Sequence, residues 1–311
     1  MSIIVKNLSF TYSPKTPYEK KALDDVNLTI NEGDFVGVVG HTGSGKSTFL
    51  QHINGLIKLQ DGTIDVFDIH LQSKYKRKEK PDLKRLRSEV GMVFQYPEYQ
   101  LFEDTVEKDI SFGAKNLGMP KEEIDDAVRE AMELVGLDYE TYRHRSPFDL
   151  SGGEKRRVAI AGVIVMRPKV LILDEPTAGL DPKGKETILS LITRLKESCS
   201  PTIIVVSHDI DEITRFASRI VVFGDGRVQY DMSMPELFEH EADLHELGLD
   251  IPLAVKVRND LAERGITLEG AIYNVDTLID AIVHRYNKST KLEGQGSIET
   301  PIALDEGGST L

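Results

Sequence analysis

Phe35-Val36-Gly37-Val38-Val39-Gly40-His41-Thr42-Gly43-Ser44-Gly45-Lys46-Ser47-Thr48 decides how the rest of the chain is read. Residues 35–39 are an unbroken apolar run, the pattern of a strand buried on both faces. Residues 40–48 then match G-x-x-x-x-G-K-[ST] between that strand and an apolar helical stretch, the setting in which this spacing builds a phosphate cradle. The glycines let the backbone curl so that its N–H groups converge on phosphate oxygens. The helix that follows adds its positive end. Lys46 brings a point charge to the β- and γ-phosphates, and Ser47 a hydroxyl to Mg²⁺. A Gly-rich turn without function is the bland alternative, and the flanking strand and helix argue against it.

Two further apolar runs, Val170-Leu171-Ile172-Leu173 and Ile203-Ile204-Val205-Val206, read as buried strands. Ile124, Val128, Ala131 and Val135 stand at helical spacing, as do Ile188, Leu191, Ile192 and Leu195. Strands alternating with helices predict a parallel sheet. Earlier, Val26, Leu28 and Ile30 alternate with Asn27 and Thr29, so the first thirty residues read as antiparallel strands. Asp225-Gly226 reads as a hairpin turn. Ser233-Met234-Pro235-Glu236 reads as a helix start, with breaks expected near Gly248 and Gly265. The expected division is 1–232 for the nucleotide-binding domain, 233–287 for a small helical domain and 288–311 for a disordered tail rich in Gly, Ser, Thr and acids. No internal repeat is found.

The chain of 311 residues is 40% apolar, enough for a sizeable core. Acids outnumber bases, 51 to 38, for a net charge of −13, which argues against a dedicated nucleic-acid binder. The single cysteine, Cys199, can form no internal disulfide and suits the reducing cytosol. The longest apolar run spans nine residues, 158–166, against the roughly 20 that a membrane helix needs. Met1-Ser2-Ile3-Ile4-Val5-Lys6 lacks the pattern of a signal peptide. The chain is expected neither to cross nor to enter a membrane, though it could dock on a membrane protein.

Val170-Leu171-Ile172-Leu173-Asp174-Glu175 carries two acids to the end of a buried strand, the edge at which such sheets bind ligands. Asp174 is placed to hold Mg²⁺ and Glu175 to polarise an attacking water as general base. Solvated strand-end acids are the bland alternative. Leu150-Ser151-Gly152-Gly153-Glu154 opens a helix and supplies a second anion-binding turn. One nucleotide does not need two such turns on one chain, so this one fits a nucleotide held by another subunit.

These residues resemble the ATP-binding cassette (ABC) ATPases, a family of P-loop NTPases. The phosphate loop, Gln95 at the end of Gly91-Met92-Val93-Phe94-Gln95, the Leu-Ser-Gly-Gly segment, the carboxylate strand, Ala178-Gly179-Leu180-Asp181 and His208 in Val205-Val206-Ser207-His208-Asp209 stand in the family's order and spacing. The resemblance covers about residues 1–230. It implies an α/β fold: a mainly parallel sheet flanked by helices, an N-terminal antiparallel β subdomain, a helical signature subdomain and a small C-terminal α-helical domain. It implies ATP and Mg²⁺ as cofactors. ATP would be held by Tyr12, stacked on adenine, and by Gly40, His41, Thr42, Gly43, Ser44, Gly45, Lys46, Ser47 and Thr48. Mg²⁺ would be held by Ser47, Gln95 and Asp174. Catalysis would rest on Glu175, on His208 holding the γ-phosphate and water, and on Gln95 sensing the γ-phosphate. Ser151, Gly152, Gly153 and Glu154 would reach the nucleotide of a second ABC ATPase in a head-to-tail dimer, with Asp181 communicating across it. An isolated monomer should then hydrolyse poorly. Glu154 departs from the commoner Gln.

Phe94-Gln95-Tyr96-Pro97-Glu98-Tyr99-Gln100-Leu101-Phe102 is similar to the matching segment of the energy-coupling factor (ECF) transporter ATPases, as is Asp104-Thr105-Val106-Glu107-Lys108-Asp109-Ile110. Leu247-Gly248-Leu249-Asp250-Ile251-Pro252 resembles their C-terminal domain, and residues 174–182 resemble the second, A-prime, of two paired ATPases. The resemblance implies an ATP hydrolase on the cytoplasmic face of the cell membrane, peripheral. It would power uptake of vitamins or metal ions through a transmembrane T subunit and substrate-binding S subunits, with no direct substrate contact and no nucleic acid. Tyr96, Pro97, Tyr99, Leu101 and Phe102 would contact the T subunit. The rivals are a soluble ABC mechanoprotein acting on nucleic acid or ribosomes, the ATPase of a conventional ABC importer, and a small-molecule kinase. Against the first, Lys46 and Ser151 stand only 105 residues apart with no sustained heptads between them. The kinase leaves the signature unexplained. Segment 74–87 carries eight bases and two acids and reads as a solvated loop and helix, with contact to anionic lipid or nucleic acid as the alternative.

Overall fold

The computed structural model describes residues 2–76, 79–198 and 202–293. Arg77 and Lys78 of the basic segment, Cys199, and 294–311 of the expected tail lie outside them. Strands β1 (Ser2–Tyr12) and β2 (Lys20–Asn31) pair antiparallel. With β4 (Asp61–Val66) and β5 (Ile69–Gln72) they form a four-stranded sheet ordered β2-β1-β4-β5. The alternation at Val26, Leu28 and Ile30 is observed, with these three side chains buried and Asn27 and Thr29 exposed.

Strands β3 (Phe35–Val39), β6 (Val90–Val93), β7 (Val170–Asp174), β8 (Thr202–Val206), β9 (Arg219–Gly224) and β10 (Arg227–Ser233) form the second sheet, ordered β10-β9-β3-β8-β7-β6. Strands β9, β3, β8, β7 and β6 run parallel, and β10 returns antiparallel at the edge. All residues of β3, β7 and β8 are buried, as the unbroken apolar runs predict. The turn between β9 and β10 places Asp225 at φ +49° and Gly226 at φ +78°, both left-handed as a tight hairpin requires.

Helix α1 (Lys46–Ile53) leaves the end of β3, and α2 (Leu83–Glu89) precedes β6. Helices α3 (Val106–Leu117), α4 (Lys121–Leu134), α5 (Tyr139–Tyr142) and α6 (Gly152–Ile164) form a helical insertion between β6 and β7. Ile124, Val128 and Ala131 of α4 are buried together, as their spacing predicts. Helices α7 (Pro182–Ser198) and α8 (Ile210–Ile213) follow β7 and β8. Ile3, Val5, Leu28 and Ile30 of the small sheet share one core with Val36 and Val38 of β3, Phe49 and Leu50 of α1, and Phe223 of β9. Each such buried side chain contributes about 1.5–3 kcal/mol. At Gly37 an added Cβ would stand 2.2 Å from Ile213 Cγ2, so β3 accepts only glycine beneath α8.

The chain forms two compact units, one ending at Ile251 and one beginning at Pro252, rather than dividing at 232/233. The reason lies in α9 (Met234–Leu237) and α10 (Glu241–Glu246). Met234, Leu237, Phe238 and Leu244 are buried, and Tyr230 of β10 donates from its hydroxyl to Asp243 Oδ2 at 2.7 Å. These helices therefore complete the first unit. The Ser233 start is capped as expected, with Ser233 Oγ donating to Glu236 Oε2 at 2.7 Å. Gly248 and Gly265 take positive φ after α10 and after α11 (Leu253–Glu263). In the second unit α11 packs against α12 (Val275–Glu293) through Ala254, Ile272 and Leu278. Helix α12 continues past 288, where a disordered tail was expected to begin, because helix-forming Lys288, Lys291, Leu292 and Glu293 extend its pattern.

Candidate active site

Parallel pairing brings the expected site residues to one edge of the large sheet. Val38 stands in register with Val206, Val206 with Asp174, and Leu173 with Val93. The residues that follow these strands, 40–48, His208, Glu175 and Gln95, therefore emerge at the same carboxyl edge. Gln95 is exposed there.

The cradle is shaped by glycines at φ +150° (Gly40), +86° (Gly43) and +107° (Gly45). An added Cβ would stand 2.3 Å from Phe223 O at Gly40 and 2.6 Å from Ala22 O at Gly45. No other residue fits either place. Lys46 is buried and its Nζ donates to the carbonyls of Gly40 (2.7 Å) and His41 (3.0 Å), which hold the ammonium in the loop it serves. Burial lowers its pKa, opposed by the nearby Glu175 and Asp174 carboxylates. Gly43, Gly45, Lys46, Ser47 and Thr48 line a cleft of about 240 Å³ with Lys20, Ala22 and Tyr12. Tyr12 is partly exposed, its hydroxyl 3.2 Å from Thr48 Oγ1 and its ring edge-on to Phe10. His41 and Thr42 are exposed on the loop, and Ser44 is buried beneath it.

Asp174 is 5% exposed, and among the described residues its Oδ1 has no hydrogen-bond partner. Burial pushes its pKa up, against a hydrogen bond with Ser47 and the charge of Lys46. A buried carboxylate with a bare oxygen beside a serine hydroxyl fits Mg²⁺, which takes one or two protein oxygens and completes its shell from phosphates and water. Among the described residues no group of three His, Cys, Asp or Glu side chains could hold a metal on its own. Glu175 follows at φ +51°, its N–H donating to Val206 O at 3.0 Å. Burial raises its pKa as well, opposed first by His208, whose Nδ1 donates to Glu175 Oε2 at 2.8 Å. The pair thus joins the ends of β7 and β8.

Two buried residues that sequence reasoning missed hold these turns. Glu212 of α8 accepts from Thr177 Oγ1 (2.6 Å), Ser207 Oγ (3.2 Å) and Lys185 Nζ (2.9 Å), so one carboxylate ties the turn after Glu175 to the residue before His208. Arg156 of α6 donates Nε and Nη2 to the two oxygens of Glu98 (3.1 and 2.9 Å). Its Nη1 donates to the carbonyls of Pro176 and Ala178 (2.9 Å each). A signal for Arg156 existed: it stands in phase with Ile160 and Ile164, so the buried stripe of α6 contains a charge that demands an acceptor.

Ser151 caps α6 in a capping box: Ser151 N–H and Oγ–H both donate to Glu154 Oε2 (2.8 and 2.7 Å). Tyr142 Oη donates to Glu154 Oε1 at 2.7 Å. The Tyr142 hydroxyl first, then Ser151, hold the Glu154 carboxyl down to about 2. An added Cβ at Gly152 or Gly153 meets nothing within 4 Å, so this chain's own packing does not require glycine there. Asp181 Oδ1 accepts from Gly184 N–H at 2.8 Å and caps α7, a local role beside the expected one. Of the five residues expected to face a partner, Pro97 and Leu101 are buried, because the turn at 97–100 folds them inward. Tyr96, Tyr99 and Phe102 are exposed, Tyr99 by 84%, and Phe102 packs edge-on against exposed Phe112.

The ABC transporter family model matches residues 23–178. The energy-coupling factor transporter ATP-binding protein EcfA2 of Clostridium perfringens is 49% identical over 283 residues, covering 91% of this chain and 98% of the relative. The EcfA2 of Clostridioides difficile is 51% identical over 279 residues, 87% and 95% of the two chains. Among solved structures, cbiO1 of Clostridium perfringens, part of the ABC transporter complex cbiONQ, superposes with a TM-score of 0.67 at 37% identity, covering 83% of this chain and 98% of its own. A dimeric ATP-binding cassette in a post-hydrolysis state, bound to ADP and Pi, gives 0.64 at 33% identity over 75% of this chain and 98% of its own. The chain belongs to the ABC transporter ATPases and, within them, to the ATP-binding proteins of energy-coupling factor transporters, EcfA2 type.

Proposed function

We propose that this ATPase is the second nucleotide-binding subunit of an importer and that its sheet edge works as half of a composite hydrolytic site. The observation that carries the reading is the Glu175–His208 pair, 2.8 Å apart, beside the buried Lys46 and the bare oxygen of Asp174. ATP lies with its phosphates in the loop 40–48 and its adenine against Tyr12. Lys46 neutralises the β- and γ-phosphates. Ser47, Asp174 and Gln95 would hold Mg²⁺, which when bound supplies charge to the β- and γ-oxygens. Glu175, its pKa raised by burial toward the operating pH, takes the proton of the attacking water. His208 orients Glu175 and the γ-phosphate. Ser151, Gly152, Gly153 and Glu154 serve the nucleotide of a second ABC ATPase in a head-to-tail dimer, and Asp181 lies on the path between the sites. The open space around Gly152 and Gly153 supports that use.

Tyr96, Tyr99 and Phe102 dock on a transmembrane T subunit at the cytoplasmic face of the membrane, and S subunits select vitamins or metal ions. Among the described residues no helix is long and apolar enough to cross a membrane. The test is to tag the full chain, solubilise its native membranes gently and identify what co-purifies. A second ABC ATPase, one T-type membrane protein and several small membrane proteins support the reading. A binding protein with a conventional permease, or ribosomes, would overturn it. In parallel, Glu175→Gln should bind ATP, accumulate as a closed dimer and hydrolyse at least about a hundredfold more slowly.

A further inference from the structure

Arg156 is 1% exposed and spends its guanidinium on two separate turns. It stands on α6, five residues beyond the Ser151 cap. Two of its donors grip both oxygens of Glu98, in the turn three residues after Gln95. A third grips the carbonyls of Pro176 and Ala178, in the turn that begins at Glu175. That turn is closed by the Ala178 N–H on Glu175 O at 3.1 Å and held from its other side by Thr177 on Glu212. Either side of Glu98 in the chain stand the exposed Tyr96 and Tyr99, their rings 6.1 Å apart.

We infer that Arg156, through Glu98, is a positioning residue that locks segment 96–102 and the Glu175 turn into one block, so that a load on the exposed rings of Tyr96 and Tyr99 moves the catalytic carboxylate. A two-point arginine–carboxylate grip is planar and directional, unlike a lysine contact. Drawing it apart strands a buried charge, at a cost that keeps the elements together. The two backbone carbonyls are held by the same rigid guanidinium plane, so a tilt of Glu98 reorients the turn behind it. The expected relay residue, Gln95, is exposed at the strand end, whereas buried Arg156 and half-buried Glu98 link the same two regions. This inference rests on Glu175 being the base.

The test uses the full chain with Cys199→Ser and Gln100→Cys, an exposed site in the turn, labelled with an environment-sensitive fluorophore. Mg·ATP binding is measured by calorimetry, fluorescence on the same samples, and hydrolysis by phosphate release. In the parent, ATP should change the fluorescence. In Glu98→Gln, which keeps shape and volume, and in Arg156→Lys, ATP affinity should stay within about threefold. The fluorescence change should be lost, and kcat should fall about tenfold or more with KM little moved, the mark of a misplaced catalytic group. Thermal unfolding checks that each variant is folded; if Arg156→Lys is not, Glu98→Gln alone decides. A folded Glu98→Gln with the parent's kcat and fluorescence change overturns the link. A parent that binds ATP without any fluorescence change also overturns it. A parent that binds no ATP overturns the nucleotide-site reading itself, and the link with it.

Discussion

Asp174→Asn is expected to make the metal-free protein more stable while removing its response to Mg²⁺. The carboxylate is buried, its Oδ1 has no partner among the described residues, and burial raises its pKa. A raised carboxylate pKa means the ionised form is penalised in the folded chain; the penalty stands above the folded pKa and is relieved as the pH falls through it. At pH 7 asparagine removes that penalty. An unsatisfied charged oxygen costs about 1–3 kcal/mol. Against this stands lost attraction to Lys46 and a weaker hydrogen bond with Ser47, about 1 kcal/mol together. The net gain is about 1 kcal/mol, or about 2–4 °C in Tm for a folding unit of this size. Thermal melts in a chelator, then with ATP alone, then with Mg·ATP, separate the effects. Ligand at a hundred times its Kd adds about 2.7 kcal/mol to the parent. The variant should keep the increment from ATP alone, through Lys46 and the glycine loop, and lose the part that needs Mg²⁺. A variant less stable than the parent in chelator, or with the Mg²⁺ increment intact, refutes the reasoning.

Gly152→Ala adds a methyl that meets nothing within 4 Å in the first turn of α6, so stability should hold or rise by about 0.5–1 kcal/mol while hydrolysis falls at least about tenfold. Unchanged turnover would remove these glycines from the shared site. Glu212→Ala should cost about 2–4 kcal/mol in urea unfolding by stranding Thr177, Ser207 and Lys185, and Glu212→Gln only about 1 kcal/mol, since Lys185 is partly solvated. Equal losses would show that charge, not hydrogen bonding, sets the cost. The depressed pKa of Glu154, about 2, gives stability that is full above the ordinary value of 4.5 and lost as the pH falls toward 2. The gap in urea midpoint between the parent and Glu154→Gln, about 1 kcal/mol at pH 7, should therefore close as the pH is lowered from 4.5. A gap constant with pH would mean that the box does not depend on the charge.

The large sheet was legible because each of its central strands is buried on both faces, and a strand in that position must read as an apolar run. The cradle was legible because its glycines take conformations that other residues do not reach, so its spacing tolerates few alternatives. The end of the first unit was not legible at 232. The chain does change character there, at the capped start of α9, but whether a helix closes the domain before it or opens the next depends on whether Phe238 and Leu244 become buried and Asp243 meets Tyr230 of β10, which is settled only in three dimensions. Pro97 and Leu101 failed for a related reason: beside three aromatics in a loop, composition does not say which side chains a turn folds inward. Arg156 was hidden because its partners stand 20 or more residues away, and Glu212 because two of its three, Thr177 and Lys185, are equally remote, although Arg156 left a trace in the phase of its helix.

Two carboxylates near this sheet edge are buried to a similar degree, Asp174 at 5% and Glu212 at 7% exposed, and their surroundings assign them opposite roles. Glu212 has three donors, from three elements, converging on its two oxygens. Desolvation is offset within the chain, so the group acts as a tie between turns and asks nothing of a ligand. Asp174 keeps one oxygen bare while its pKa rises, so its desolvation is not offset until a cation arrives. A fold under selection for stability alone would give Asp174 a second donor or replace it with an apolar residue. That it has neither, beside a buried lysine and at the mouth of a glycine loop, is the physical argument that this edge is built for a charged ligand.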